Sequence, residues 1–296
     1  MANVTFKRLF FKSSSLSIDG VFGDKPRYYL NYFIDNGYIP GFGINSSAMS
    51  FELVNNSGNA FEKWNFYRNE AFIQSIFKEK FAIGGGISLD HFVSTNLSSL
   101  NENKEHFLNV YAFIKSDTQD DKYFPTKGFY TNIEAKALNV FDKSSIKKTI
   151  QIKGDLRGNF PINNWLTYRL ISFYGISTTP ANSFYQYHLG GLFEQDLGNF
   201  VRFTGYQFGQ NSNNNIISVS NNFQFNVYKN YFIIGNFSAA DLFQNFDETK
   251  LLKINYSSLG ITAAYKSPFG QIKLNYSHAL QKDNKGIFSV VLGHWF

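Results

Sequence analysis

The last eleven residues, Gly286-Ile-Phe-Ser-Val-Val-Leu-Gly-His-Trp-Phe296, decide the fold class. One face of the strand that they predict carries Phe288, Val290, Leu292, His294 and Phe296, and the other carries Ser289, Val291, Gly293 and Trp295. An unprotected strand edge with an apolar face invites aggregation in water. A sheet closed into a membrane-spanning barrel has no such edge, because its last strand pairs with its first. The tail therefore predicts the closing strand of a transmembrane barrel, and the alternative is the buried last strand of a soluble β-sandwich.

The composition favours the barrel. The 296 residues have a mean hydropathy of −0.25, yet 19% of them are aromatic, as expected of a wall with one lipid-facing and one wet side. No stretch approaches the roughly 20 apolar residues of a spanning helix. The absence of cysteine excludes disulfides and thiolate chemistry, and the net charge of +6 is scattered rather than gathered into a patch for nucleic acid. Residues 1–6 do not read as a signal peptide, so we expect a mature form or a domain of a longer protein.

Segments of period two recur along the whole chain, and short connections alternate with long ones. Short connections are predicted near 37–40, 78–80, 159–164, 229–231 and 266–270, and the longest connection spans 178–214. This alternation is typical of periplasmic turns and extracellular loops. Counting back from Phe296 gives 14 strands that begin near Ser14, with residues 3–11 as part of a fifteenth or sixteenth. We therefore predict an all-β, antiparallel transmembrane barrel of 14–16 strands, in which residues 1–13 are a lead-in or first strand and residues 14–296 are the barrel.

Four segments, taken in order, resemble one family. They are Phe124-Pro-Thr-Lys-Gly-Phe-Tyr130, the run 184–191 followed by Val201-Arg-Phe-Thr-Gly-Tyr206, the run 232–241, and the run 259–276. They resemble, respectively, the Pro-x-x-Gly turn, the long sixth loop, a strand with an inward acidic residue and the closing hairpin of the Omp85 (bacterial surface antigen, D15) superfamily. The nearest shape is the barrel fused behind patatin-like phospholipase domains. The resemblance covers roughly residues 120–296, and the first third of the chain shares only the strand pattern.

The resemblance implies a loop that folds inward and docks inside the barrel before the last five strands. The docking residues would be Arg202, Gly205, Tyr206, Gly190, Gly191 and Asp241. A guanidinium can hold a carboxylate bidentately, so Asp241 is the expected partner of Arg202, with Asp155 or Glu134 as substitutes, and a solvated loop arginine is the alternative. Phe203 and Thr204 separate Arg202 from Gly205, which stretches the compact motif of the family. The Gly190–Gly191 pair permits either a turn or a close backbone approach.

The resemblance also implies a function in the bacterial outer membrane. The barrel would translocate or anchor an attached or partner protein, its partners being outer-membrane lipid and the barrel-assembly machinery. The tail resembles the C-terminal signature of such barrels, although His294 replaces the usual apolar residue. A passive porin-like channel for small solutes is the alternative.

Catalysis is not expected in this chain. It has no Gly-x-Ser-x-Gly nucleophile elbow, and its five histidines (91, 106, 188, 278 and 294) show no metal-ligand spacing along the sequence, so no metal or cofactor is predicted. A lipase with a Ser–His pair on the wall, Ser277–His278 or Ser289–His294, is a third alternative. The first pair is disfavoured, because adjacent strand residues point to opposite faces. Aromatic residues near the short turns are expected to form a lipid-facing girdle: Phe77, Phe81, Tyr123, Phe124, Trp165, Tyr228, Tyr231, Phe232 and Phe269.

Overall fold

A computed structural model describes residues 2–21, 26–37, 39–54, 60–139, 149–192, 198–245, 254–268, 270–281 and 285–293. The strands are β1 (Ala2–Lys7), β2 (Ser14–Val21), β3 (Arg27–Asn36), β4 (Ile39–Val54), β5 (Ala60–Phe77), β6 (Phe81–Asn96), β7 (Glu102–Asp117), β8 (Gly128–Ala137), β9 (Ile150–Pro161), β10 (Leu166–Ser177), β11 (Tyr187–Leu189), β12 (Phe200–Val201), β13 (Asn211–Asn213), β14 (Asn215–Tyr228), β15 (Tyr231–Phe243), β16 (Tyr256–Ser267), β17 (Gly270–Ala279) and β18 (Ile287–Gly293). In the described part of the chain, 15 strands form one sheet in chain order, and β11–β13 form a second, small sheet.

The large sheet has an apolar exposed face, and its buried face carries most of the polar side chains of the strands together with a set of aromatic ones. In β6, Ile87 is 51% exposed, whereas its neighbour Ser88 is fully buried. In β17, Leu274 and Tyr276 are exposed while Asn275 and Ser277 are buried. This arrangement is the reverse of a soluble sheet, in which apolar side chains are buried and polar ones face water. We call the apolar exposed side the outer face and the polar buried side the inner face.

The chain forms two compact units. The first contains residues 1–115 and 133–152, and the second contains residues 116–132 and 153–296. In the first unit, long antiparallel pairings join β4 to β5 and β5 to β6, with Phe51 opposite Trp64 and Phe66 opposite Phe92 on the inner face. In the second, β10 pairs with β14, and the chain then continues as the meander β14–β18.

Predicted boundaries can be compared with these strands. The short connections near 37–40, 78–80, 159–164, 229–231 and 266–270 each separate two paired strands. The segment at residues 3–11 contains β1, which pairs with β2 from Ala2 opposite Gly20 to Lys7 opposite Ser15. The sheet therefore contains one strand more than the 14 counted back from Phe296, within the predicted range of 14–16. Among the residues described above, no helix is long and apolar enough to cross a membrane.

One part of the predicted aromatic girdle is wrong. Phe77, Phe81, Trp165, Tyr228 and Tyr231 are exposed, as a girdle requires. Phe124 and Phe232 instead belong to the inner side, where both are buried and stack with ring centroids 4.4 Å apart. Phe124 is inside because the connection 118–127 folds back over the strands rather than turning directly. Phe232 is inside because it alternates with the exposed Tyr231 and Ile233 along β15. Phe269 lies outside the described residues.

Candidate functional site

The connection between β10 and β14 is a folded element with its own sheet. It begins with a 3₁₀ turn, Ser183–Tyr185, capped by the Asn182 side chain, which accepts a hydrogen bond from Phe184 N. β11 then pairs in parallel with β12 and antiparallel with β13. The Asn199 side chain donates to the carbonyl oxygens of Phe184 and Gln186, at 3.1 and 2.8 Å, and so ties the turn to β12. We call residues 178–214 the folded loop.

Gly190 and Gly191 lie at a turn where two segments of the folded loop come close together. Both have positive φ, +127° and +82°, which glycine adopts without strain. A Cβ at Gly190 would lie 2.0 Å from the carbonyl oxygen of Gln207. The Gly191 N–H donates to the Tyr206 carbonyl at 3.0 Å, and its own carbonyl accepts from Phe203 N at 3.0 Å. The pair therefore makes a turn and allows the two arms of the folded loop to approach closely.

A row of stacked rings fills the interior of the folded loop. His188 stacks on Phe200 at 4.6 Å, and Phe200 stacks on Phe208 at 4.8 Å, both nearly parallel. All three side chains are buried. Burial lowers the pKa of His188 to about 4, against weaker opposing effects of backbone hydrogen bonds at Ser183 and Gly209. His188 is therefore a neutral ring at pH 7.

The tip of the folded loop docks on the inner face of β15–β17 through Thr204 and Gly205. The Gly205 N–H donates to Ser277 Oγ at 2.9 Å. The Thr204 hydroxyl lies 3.1 Å from the Ser258 hydroxyl and accepts from Asn236 Nδ2 at 2.9 Å. Each contact joins a loop residue to a small or polar side chain of the wall.

Gly205 allows this close approach. Its φ is +81°, and a Cβ there would lie 2.8 Å from Ala279 N and 2.9 Å from the His278 carbonyl carbon. A side chain would push the loop away from β17. The loop backbone therefore comes close to the wall at Gly205.

An apolar cluster reinforces the docking. Tyr206 packs edge-on against Tyr256 of β16 at 5.7 Å, and its hydroxyl donates to Gln281 Oε1. Burial raises the pKa of Tyr206 to about 12, so its hydroxyl keeps the proton that it donates. The buried members of the cluster come from the loop and from the wall: Tyr187, Leu189, Val201, Phe203, Tyr206, Ile216, Ala240, Leu242 and Ala279.

The structure gives less support to the predicted ion pair between Arg202 and Asp241 than to the contacts at the loop tip. Arg202 is half-buried between Val201 and Phe203. Asp241 is buried, but Ala240 and Leu242, its neighbours on β15, belong to the cluster that packs against the loop. Because side chains alternate along a strand, Asp241 lies on the other face, where its carboxylate accepts a hydrogen bond from the Asn255 side chain. The pairing of Arg202 with Asp241 stays a prediction, and this register does not favour it.

Each of the two substitute carboxylates contacts a cation on its own strand. Asp155 accepts two hydrogen bonds from the guanidinium of Arg157, at 3.0 and 2.5 Å. Glu134 forms an ion pair with Lys136 at 3.6 Å. Each carboxylate is thus engaged by a cation two residues away on its own strand.

A second connection docks on the inner side of the same strands. In residues 118–127, Asp120 accepts from the backbone N–H of Thr126 and Lys127, and Asp121 accepts from Phe124 N and from the Lys266 ammonium. Burial alone would raise the pKa of Asp121, but these hydrogen bonds outweigh it and hold the pKa below its usual value. Phe124, 2% exposed, is sandwiched by the Phe232 ring and the Lys273 ammonium, 5.4 Å from its centroid.

Comparison with known proteins identifies the architecture. The model of the OMP85 superfamily matches residues 1–296, the whole chain. The chain belongs to the OMP85 superfamily. It is an antiparallel β-barrel of the bacterial outer membrane, as predicted. The outer face of the sheet is thus the lipid-facing face, and the inner face is the lumenal one.

Solved structures share this fold at low sequence identity. BamA from Haemophilus ducreyi lacking POTRA domains 1–3 aligns with a TM-score of 0.68 and 16% identity over 98% of this chain. CdiB from Acinetobacter baumannii aligns with 0.63 and 13% over 97%, and CdiB from Escherichia coli with 0.64 and 10% over 97%. The chain spans 66%, 55% and 57% of those three chains. A comparison with the sequences of curated proteins found no match.

The C-terminal strand has the faces predicted for it as far as it is described. Phe288, Val290 and Leu292 are exposed on the lipid-facing side of β18, and Val291 is buried. β18 pairs with β17 from Ser277 opposite Ile287 to Gln271 opposite Gly293. His294 and Phe296 lie outside the described residues. The role of this strand as a signal for barrel assembly stays a prediction.

Sequence reasoning missed the wall side of the docking site. Ser258 was not singled out, and Ser277 was considered only as an alternating polar residue and as half of a Ser–His pair, yet both are buried against the loop tip. A cluster of small inner-face residues, Ser238, Ser258, Gly260 and Ser277, was the available signal, because small side chains let a backbone come close.

A polar network inside the first unit was also missed. Arg68 on β5 donates two hydrogen bonds to Asp90 on β6, at 2.9 and 2.7 Å, and Asn109 on β7 donates to the same carboxylate at 3.2 Å. All three are buried, so the ionised groups are held by charge-assisted hydrogen bonds. Within the described ranges, no group of three or more His, Cys, Asp or Glu side chains is placed to hold a metal ion.

Proposed function

We propose that this chain is the membrane domain of an OMP85-type protein and translocates or anchors an attached or partner protein. The observation that carries the proposal is the folded loop, docked on the inner wall of β15–β17 at Gly205. A passive channel does not require a lumenal element with its own sheet, its own apolar cluster and a glycine fitted against the wall. Translocation requires an element that closes the lumen at rest and can be displaced.

The contacts at the tip of the folded loop are of a kind that allows the loop to be displaced from the wall. At the tip they are hydrogen bonds between neutral groups, each contributing about 0.5–1.5 kcal/mol to stability. The inner wall beneath them is polar, with Ser238, Ser258 and Ser277, so it can be rehydrated when the loop moves. A passing chain would replace the loop's contacts with its own.

An attached patatin-like domain is our preferred passenger, and it rests on the resemblance of residues 120–296 to barrels of that kind. The chain itself would supply no hydrolytic group. The barrel-assembly machinery and outer-membrane lipid would be its partners during insertion. The alternative, a porin-like channel for small solutes, predicts an open lumen.

Conductance in planar bilayers separates these two readings. The purified chain should give only small, intermittent currents, and a variant with residues 184–208 replaced by a short Gly-Ser linker should give a large steady conductance. A large steady conductance of the unmodified chain would favour the porin-like alternative. Equal small currents from both proteins would show that the folded loop does not close the lumen.

Passenger transport needs a second experiment. A small epitope-tagged domain would be joined ahead of residue 1 and the fusion expressed in a bacterium with an outer membrane. Translocation predicts that protease added to intact cells removes the epitope. Digestion only after the outer membrane is permeabilised would reduce the role to anchoring.

A further inference from the structure

Two histidines lie side by side on the lipid-facing side of the first unit. The rings of His91 on β6 and His106 on β7 stack with centroids 4.1 Å apart and an interplanar angle of 20°. Asn96 N donates to the Asn101 carbonyl at 3.0 Å at the top of this hairpin. Continued down the ladder, that register places His91 directly opposite His106, in a pair without mutual backbone hydrogen bonds. Side chains of such pairs approach each other most closely.

The surroundings leave one imidazole nitrogen without a partner. His91 Nδ1 is buried and makes no hydrogen bond. On its other side His91 is opposite Tyr67 of β5, whose ring lies 5.9 Å away and is stacked. A buried nitrogen without a hydrogen-bond partner destabilises the folded protein. A ligand that binds this nitrogen removes the penalty, so its binding is favoured.

The pair lies at the edge of the apolar band rather than within it. On the outer face of β6 the large side chains below His91 are apolar: Phe81, Ile83, Ile87 and Leu89. The residues beyond it lead to the connection 97–101, in which Ser98, Ser99 and Asn101 are exposed, and His106 is itself exposed. Ions and water in the interfacial region can therefore reach the two rings.

We propose that His91 and His106 form a two-ligand site for a divalent transition-metal ion, such as Cu²⁺ or Zn²⁺. Imidazole is a preferred ligand of both ions, and metal–nitrogen bonds are about 2.0–2.1 Å long. Two nitrogens on one ion are thus separated by no more than about 4 Å. The ring centroids of His91 and His106 are 4.1 Å apart, so small rotations of the rings suffice to direct one nitrogen of each toward a shared ion. Rotation about the side-chain torsions turns the stacked rings so that one nitrogen of each faces the ion, and water completes the coordination. The two strands fix the ligands in advance, which lowers the entropy cost of chelation.

The proposal is tested with Cu²⁺ and the complete chain in detergent micelles, purified without a polyhistidine tag. Electron paramagnetic resonance should reveal one tightly bound Cu²⁺ per chain with hyperfine coupling to two imidazole nitrogens. Because chelation makes the second ligand intramolecular, His91→Gln and His106→Gln should each weaken Cu²⁺ binding by about 10²-fold. Zn²⁺ should compete for the same site.

His278→Gln is the matched control. His278 is also exposed on the lipid-facing side, on β17, but it is opposite Leu259. This variant should bind Cu²⁺ as the unmodified chain does. Coupling to a single nitrogen, or unchanged affinity in both His91→Gln and His106→Gln, would mean that the two rings only pack against each other. Circular dichroism of each variant establishes that the strands have formed, so that lost binding reports on the ligands.

Discussion

At the residue scale, Gly205 marks the place where the loop backbone comes closest to the wall. Gly205→Ala would combine a positive φ with a Cβ only 2.8 Å from Ala279 N. We expect it to weaken docking of the folded loop by about 1–3 kcal/mol, the usual cost of a strained backbone conformation. Hydrogen–deuterium exchange of residues 200–208 measures this as faster exchange.

The control for this variant is Gly235→Ala in β15, where a Cβ meets nothing within 4 Å. It should leave exchange in the loop unchanged. If both alanine variants exchanged at the same rate as the unmodified protein, Gly205 would not be the residue that permits docking. The resemblance to the family pointed to Gly205, but its contact with Ser277 could not be predicted, because strand periodicity does not state which loop covers which residue.

His188 makes the folded loop sensitive to acid. Its pKa is about 4 in the folded protein against about 6.5 for an ordinary histidine, so below pH 6.5 the unfolded loop binds a proton that the folded loop does not. Stability of the loop is complete above pH 6.5, declines as the pH falls toward 4, and loses on the order of 3 kcal/mol in all.

His188→Phe keeps an aromatic ring beside Phe200 without a titrating group. Between pH 7 and pH 4 its loop should lose less protection from hydrogen exchange than that of the unmodified protein. Carboxylates titrate in both proteins, so the difference between them isolates His188. Parallel loss in the two proteins would contradict a buried neutral imidazole.

At the scale of elements, the length of the connection 118–127 indicates that it is not a simple turn, whereas its composition does not. Its ten residues are too many for a short turn, and this was evident from the sequence. Its conformation was not, because the aspartates that organise it act through backbone N–H groups of Thr126, Lys127, Tyr123 and Phe124. Phe124 was read as a lipid-facing aromatic because an aromatic residue near a strand end suits either environment.

Phe124→Ala tests whether this connection is anchored on the inner side of the strands. Removing a buried aromatic ring costs about 3–5 kcal/mol, here through the lost contacts with Phe232 and Lys273. We expect protease to cleave within 118–127 and the thermal unfolding midpoint in detergent to fall. Phe129→Ala, which removes an exposed ring on β8, should change both much less. Equal effects of the two variants would mean that Phe124 does not anchor the connection 118–127.

At the scale of the whole molecule, alternation of two faces along the strands made the fold predictable. Most strands carry apolar side chains on the outer face and polar ones on the inner face, so a weak signal in one segment is strengthened by the others. This period does not specify which side chains meet. Arg68 is opposite Asp90 because of the register of β5 and β6, and Thr204 contacts Ser258 because of the path of the folded loop. The fold was therefore accessible from the sequence, and the docking surface on the wall was not.

The same two faces give a prediction for the molecule in a bilayer. Because the chain has no cysteine, single cysteines can be introduced and spin-labelled without removing any natural one. A label at Leu274→Cys, on the exposed face of β17, should be relaxed strongly by oxygen, which concentrates in lipid, and weakly by a water-soluble nickel chelate. A label at Asn275→Cys, one residue along and 1% exposed on the lumenal face, should be shielded from oxygen. Equal relaxation by oxygen at the two positions would contradict the assignment of lipid and lumen to the two faces, since adjacent residues of a membrane-spanning strand must differ.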